Sequence, residues 1–346
     1  MTTRTDRRRF GAALALASAP LFGGVAAAQQ DEEPAPATEA AAETPAAPRW
    51  TWVEDWPKLD EGDQLGNTHG CLCVDSAGNL LANTDTDRAV VRFAPDGRLL
   101  GSWGAEYRGG LHGMTLRREG DQEFLYLVHT MRSEVLKTTL DGEVLWTIGW
   151  PEESGIYEKQ QDFRPTAVAV TADGRIYVAD GYGKSWIHLF DRERRYVRSF
   201  GGPGSKNGQF KTPHGLWIDA RSGEELLLVC DRENARLQWF DLNGKPVREA
   251  REGMLRPCNV WPLEDGMLAV ADLAGRVAIL DRDDQPIAFL GDTAPLELRA
   301  KNGVDREHWQ KDRFFAPHSV CADRDGNLYV MDWNRNGRIT KLRRER

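Results

Sequence analysis

A unit of roughly 45 residues recurs six times along this chain, and a repeat of that size buries its apolar face only against copies of itself. Its opening segment runs Gly70 to Asp75, His112 to Arg117, Thr166 to Thr171, His214 to Asp219, Cys258 to Leu263 and His318 to Asp323. In five units an apolar strand ending in a polar residue follows, at Asn79 to Thr84, Arg175 to Asp180, Glu225 to Asp231, Gly266 to Asp272 and Asn327 to Asp332; the second unit has Glu123 to Thr130 there. A third strand comes next, as in Ala89 to Phe93, Trp186 to Phe190, Arg236 to Phe240 and Arg338 to Leu342. It usually leads into an Asp-Gly or Asn-Gly turn, whose residues accept positive φ and close hairpins. Short strands without helical periodicity give one antiparallel sheet per unit and a radial stack of six. The expected fold is all-β, a six-bladed β-propeller. The sixth unit has three strands, while Trp50 to Lys58 forms an unpartnered β-type segment ahead of the first. An N-terminal strand is expected to close the last blade and cover its open edge.

Before the repeats, Arg7, Arg8, Arg9 and Phe10 precede a small-residue apolar stretch, Gly11 to Val25, and then Ala26, Ala27 and Ala28. This is the pattern of a twin-arginine signal peptide over 1–28, which places the protein in the periplasm or outside the cell. Residues 29–49 are Ala, Pro, Glu and Thr with almost nothing to bury and read as a disordered linker, leaving 50–346 for the propeller. No apolar run reaches the roughly 18 residues of a membrane span. The 45 Lys and Arg against 53 Asp and Glu give a net charge of -8, which argues against nucleic acid and anionic membrane surfaces as partners. Five Cys are present; Cys71 and Cys73 lie two apart on one strand without cross-strand disulfide geometry, and Cys230, Cys258 and Cys321 read as buried thiols.

Innermost strands of a propeller line its channel, so the first position of each opening strand forms a ring: Gly70, His112, Thr166, His214, Cys258, His318. Only the even blades carry His, and alternate blades of six lie about 120° apart. Three imidazoles then converge on one point. Three His with an open remaining position are an arrangement for catalytic Zn²⁺. His69 is set aside as a fourth ligand because Asp75 follows it by six residues, whereas Asp219 and Asp323 follow His214 and His318 by five. His129, His188 and His308 have no ring position and read as surface or packing residues.

The segments Pro165 to Val170, Tyr177 to Tyr182, Gly208 to Leu216, Asp231 to Phe240 and Ala316 to His318 resemble the NHL-repeat propellers. Within them the chain is most similar to the peptidyl-α-hydroxyglycine α-amidating lyase (peptidylamidoglycolate lyase) domain, over nearly all of residues 60 to 342. The resemblance implies zinc on His112, His214 and His318, Tyr182 as the base, and Arg232 in the substrate site. The implied reaction breaks the C–N bond of a carbinolamide to give an amide and an aldehyde acid, with a small-molecule or peptide substrate in the central channel. The chain also departs from that pattern. Asp85 stands where the lyase has its other functional Arg, which makes Asp85 and the nearby Arg88 candidate substrate contacts. Ser319 replaces an Asp that the resemblance assigns to a structural calcium, so calcium is expected to be absent or altered.

Two other readings stay open. One is a non-catalytic NHL propeller whose faces bind protein or carbohydrate, with metal only as a pin. The other is a calcium-dependent hydrolase of gluconolactonase type, whose metal is held by acidic and amide side chains; the ring of His speaks against it. Without the resemblance, Tyr182 is equally a turn-capping residue, and Arg232 a partner of Asp231 or Glu233 that ties blades together.

Overall fold

In the computed structural model, which describes residues 48–345, the residue alternation along each strand tells where it sits in its blade. Strands in mid-blade are buried on both sides: every residue of Leu268–Asp272 and of Leu328–Asp332 is buried. Outermost strands such as Pro246–Ala250 and Pro286–Leu290 alternate between exposed and half-buried positions, the mark of one solvated face. The described residues form six four-stranded antiparallel sheets. The apolar layers lie between sheets. Val168, Val170 and Ile176 of blade three pack on Tyr126, Val128 and Val135 of blade two, and Leu228, Cys230 and Trp239 of blade four pack on Val260, Val270 and Ala278 of blade five. A blade therefore has no core of its own, which is why the repeat must close into a ring.

Closure comes from the N-terminal strand. Trp50–Trp52 pairs antiparallel with Arg338–Arg344, setting Trp50 opposite Arg344 and Trp52 opposite Leu342, and the Trp52 ring lies 4.6 Å from that of Phe314. The last blade thus runs Pro317–Ala322, Leu328–Asp332, Arg338–Arg344, Trp50–Trp52 from the inside out. The leader and linker expected over 1–28 and 29–49 lie outside the described residues, apart from Pro48 and Arg49. Among the described residues no helix is long and apolar enough to cross a membrane. All five cysteines are buried and free.

The opening strands of neighbouring blades pack on one another around the axis. The polar residue that ends the second strand tethers the loop that leads into them. Asp231 accepts from the Lys211 amide at 2.7 Å, Asp272 from those of Leu255 and Arg256, and Asp332 from those of Phe315 and Ala316; Asp180 accepts from the amides of Arg164 and Lys184. These buried carboxylates satisfy loop amides that water cannot reach, so the chain enters each innermost strand at a fixed height.

Candidate metal centre

In blades two, four, five and six the first position of the opening strand is the extra residue of a β-bulge. Pairing jumps from Leu111 to Met114 against His129 to Leu127, from Pro213 to Leu216 against Asp231 to Val229, from Pro257 to Asn259, and from Pro317 to Ser319. A bulge breaks the alternation and re-aims a side chain. Here it releases His112, His214, Cys258 and His318 from the sheet. Blades one and three, with Gly70 and Thr166 at that position, pair without a bulge at the start of the strand.

The three imidazoles meet. Ring centroids lie 4.8 Å apart for His112 and His214, 4.9 Å for His112 and His318, and 4.6 Å for His214 and His318, all edge to face. Each Nδ1 is held by the backbone carbonyl of the first residue in the next blade's opening strand. The contacts are His112 to Thr166 O at 2.7 Å, His214 to Cys258 O at 3.0 Å and His318 to Gly70 O at 2.8 Å. A carbonyl only accepts, so each ring donates from Nδ1 and keeps a lone pair on Nε2. Close approach of the neighbouring strand makes this possible. A Cβ on Gly113 would lie 2.7 Å from Thr166 O, and one on Gly215 2.3 Å from Cys258 O.

The Tyr182 hydroxyl fills the space between two of the free nitrogens, 3.1 Å from His112 Nε2 and 3.0 Å from His214 Nε2. Nε2 of His318 is buried and has no hydrogen-bond partner. A buried nitrogen lone pair without a partner is costly unless a cation or a donor meets it, and a set of imidazoles suits zinc. Burial holds all three imidazoles well below their ordinary 6.5, with the charges of His69 and Arg232 adding to the effect on His112 and His214 respectively. They are neutral at pH 7, the ligating form. Burial also pushes the Tyr182 phenol above 10, against the pull of Arg232. Arg232 Nη1 is 3.4 Å from the Tyr182 hydroxyl, its guanidinium lies 5.5 Å from that ring's centroid, and its Nε donates to Glu233 at 3.0 Å. It therefore does both things the sequence allowed, pairing with Glu233 and facing the channel.

Asp85 and Arg88 part company. Asp85 lines a cavity of about 80 Å³ with His69, His112, Arg164 and Tyr182. Arg88 turns away, donating to both carboxylate oxygens of Asp63 at 2.8 Å, and is not in the cavity wall. Two larger hollows, about 540 and 550 Å³, lie at the blade-closing seam and beside Lys137, and neither includes a channel His.

Two groups beyond the expected three reach the axis. His69 sits 5.0 Å, ring to ring, from both His112 and His318, which corrects its exclusion on spacing. It lies outside the opening strand Leu72–Val74, so the strand's alternation never governed it. Cys258, the ring residue of blade five, is a channel group and not only a packing thiol. The ligating atoms of His69, His112 and His318 lie within 4.8 Å of one another, as do those of His214, Cys258 and His318. Burial pushes the Cys258 thiol up to about 12. Of the remaining imidazoles, His129 and His188 are buried, while His308 is exposed at the surface.

The residues do not fit a calcium ion at this ring. Ser319 accepts from the Leu72 amide at 3.1 Å and donates to Asn259 Oδ1, and among the described residues neither cluster of potential ligands contains a carboxylate.

No family model matches the chain. It is 29% identical over 237 residues to peptidyl-glycine alpha-amidating monooxygenase B of Xenopus laevis, covering 65% of this chain and 25% of that one. It is 26% identical over 242 residues to a probable peptidyl-alpha-hydroxyglycine alpha-amidating lyase of Caenorhabditis elegans, covering 65% and 63% of the two chains. The chain thus spans a quarter of the first relative and less than two thirds of the second. Among solved structures, a streptogramin B lyase superposes with a TM-score of 0.58 at 11% identity over 86% of this chain and 98% of the other. Virginiamycin B lyase from Staphylococcus aureus gives 0.57 at 10% identity, over 86% and 99%. At such identities these two establish the fold alone. The chain is a six-bladed β-propeller, homologous at modest identity to proteins named peptidyl-alpha-hydroxyglycine alpha-amidating lyases.

Proposed function

We propose that the chain is an exported, zinc-binding propeller that acts as a carbon–nitrogen lyase on a carbinolamide. The observation that carries this reading is the set of three imidazoles whose Nδ1 atoms are fixed by backbone carbonyls, with the Tyr182 hydroxyl between two of the free nitrogens and the third unpartnered. His112, His214 and His318 would hold the ion through Nε2, and it supplies Lewis acidity toward the substrate hydroxyl. With the ion's charge and Arg232 offsetting the burial that raises its phenol above 10, Tyr182 would be the phenolate that accepts the proton from that hydroxyl while the carbon–nitrogen bond breaks and a carbonyl forms. As phenol it returns the proton to the leaving amide nitrogen, so the products are an amide and an aldehyde acid. Arg232, whose Nη1 lies 3.4 Å from the Tyr182 hydroxyl, would hold the substrate carboxylate. The cavity of about 80 Å³ is far below the roughly 300–1,000 Å³ that encloses a whole drug-sized ligand, so it takes the reacting end of a substrate and leaves the remainder outside. Export rests on the Arg7 to Phe10 motif and the alanines after it.

Elemental analysis of the purified chain is expected to find one zinc, lost in His214→Ala. Tyr182→Phe should keep the metal and lose about 10²- to 10⁴-fold in kcat on an α-hydroxyglycine substrate, the range for removing a general base. A metal-free wild type, or full turnover by Tyr182→Phe, would refute the assignment. Asp85 in place of an Arg favours one second reading, a propeller that binds protein or carbohydrate with its metal as a pin. Stoichiometric zinc without turnover of any α-hydroxyglycine compound would select it.

A further inference from the structure

The departure at Asp85 and the approach of His69 to the axis are two ends of one contact. Oδ2 of Asp85 lies 3.5 Å from Nδ1 of His69 and accepts from Asn67 Nδ2 at 2.5 Å. Asn67 is itself held, its Oδ1 accepting from Asn302 Nδ2 at 2.9 Å and its backbone carbonyl accepting from the Asp85 amide at 2.9 Å. The carboxylate is therefore fixed beside Nδ1 of His69. An imidazole whose Nδ1 faces a carboxylate leaves Nε2 as its ligating nitrogen, the same division of labour that the backbone carbonyls impose on the other three rings. The His69 ring stands edge-on to His112 and His318, and Trp333, 5.8 Å away, packs on it from outside.

Resting on the zinc reading above, we propose that His69 is a fourth imidazole ligand of the channel metal and that Asp85 is the positioning residue that aims it. Cys258 is the competing fourth group. Its sulfur lies among His214 and His318 and, like them, is buried and outside the cavity wall, whereas His69 lines the cavity that holds Tyr182 and so stands on the side open to a substrate. The His69 side chain is 28% exposed, so a substrate can reach it from solvent. A ligand in that position shields the metal from water in the resting state and yields its place when a substrate hydroxyl enters, which reconciles four protein nitrogens with a site that needs an open position.

The test is metal affinity and geometry on the full chain, read without turnover. Zinc affinity is measured by competition with a chelator, and the cobalt(II)-loaded protein by its visible spectrum, in wild type, His69→Ala, Asp85→Asn, Cys258→Ser and His214→Ala. His69→Ala should weaken zinc at least about 10-fold and replace the strong band of four-coordinate cobalt by the weak one of a more hydrated ion, with Asp85→Asn shifted in the same direction. Cys258→Ser should match wild type. If His69→Ala matches wild type in both readouts while His214→Ala loses the metal, the fourth ligand is refuted and the three-His site stands. If wild type binds neither ion, both proposals fall together. A change in Cys258→Ser with none in His69→Ala assigns the fourth position to sulfur and overturns the proposal.

Discussion

Acid should unfold this propeller through its buried imidazoles, and the size of the effect follows from their surroundings. His188 is buried in blade three, with Nε2 2.7 Å from the Tyr157 hydroxyl and Nδ1 2.7 Å from Ser199 Oγ. Tyr157 donates to Asp180 at 2.7 Å, so His188 donates from Nε2 and its Nδ1 accepts from Ser199, leaving no room for a second ring proton. Burial takes His188 from 6.5 to about 3 and His129 to about 4. Both are neutral in the folded chain at pH 5.5 and about nine-tenths protonated in the unfolded one, which binds the extra proton. Depressed folded values give stability that is complete above the unfolded value of 6.5 and lost as the pH falls toward 4 and 3.

Between pH 7 and 5.5 each of these residues costs about 1.2 kcal/mol, about 2.5 kcal/mol for the pair. Asp180 works in the opposite direction. Burial raises its carboxyl to about 6, so the folded chain takes up a proton there and recovers about 0.8 kcal/mol over the same interval. For these three residues the balance is a loss of roughly 1.7 kcal/mol; the three channel imidazoles, held well below 6.5 by burial, add to it, and the carboxyls of Asp231, Asp272 and Asp332, which burial raises, oppose it. Urea unfolding of the metal-free chain in EDTA at pH 7 and 5.5 measures it. His188→Gln should lower stability at both values yet shrink the difference by about 1.2 kcal/mol. A pH dependence unchanged in His188→Gln would refute the reasoning.

Two further substitutions test how the site is held. Gly215→Ala places a methyl against the carbonyl that anchors His214 and should weaken zinc about 10-fold or more with the sheet content intact by circular dichroism, whereas Gly101→Ala, with nothing within 4 Å of the added carbon, should leave both unchanged. Arg236→Met strips the partner from Asp231, a pair 2.7 Å apart with side chains 1% and 0% exposed, and should cost about 3–5 kcal/mol in urea unfolding; a cost under about 1 kcal/mol would show that Asn234 and Gln238 suffice to hold that carboxylate.

Strand alternation and turn residues made the six blades legible, because they are local and repeat. The closing strand was legible for a different reason: one open edge and one spare strand leave a single pairing that hides both. The ring of His was visible only because the repeat supplied a common origin for counting. Counting fails where the backbone leaves the repeat. His69 precedes the first strand, and its place at the axis depends on Thr68 bridging to Asn334 across the closing seam, a contact between residues far apart in the chain. Arg88 reads equally well toward the channel or toward solvent. Asp63, in a segment with no repeat signature, decides the matter by pairing with it. The bulges carry no clear sequence mark either. Pro213, Pro257 and Pro317 precede bulged positions, but Pro165 precedes the unbulged Thr166 and Leu111 precedes a bulge.

The alternation of the ring has a physical basis that residue identity conceals. Even blades contribute an imidazole, and odd blades contribute the carbonyl that orients it: Thr166 for His112, Cys258 for His214 and Gly70 for His318. Only the backbone of an odd-blade residue is needed for this task, so Gly, Thr and Cys serve equally, and the lack of a pattern at those positions is itself what the geometry requires. The three alternate imidazoles each find a fixed acceptor one blade on. A change in how a blade leans on its neighbour therefore reaches the imidazole ring through one carbonyl and one Nδ1. His69 stands outside this scheme, since its Nδ1 faces the Asp85 side chain. Of the four rings, it is the one whose Nδ1 faces a side chain and not a backbone carbonyl.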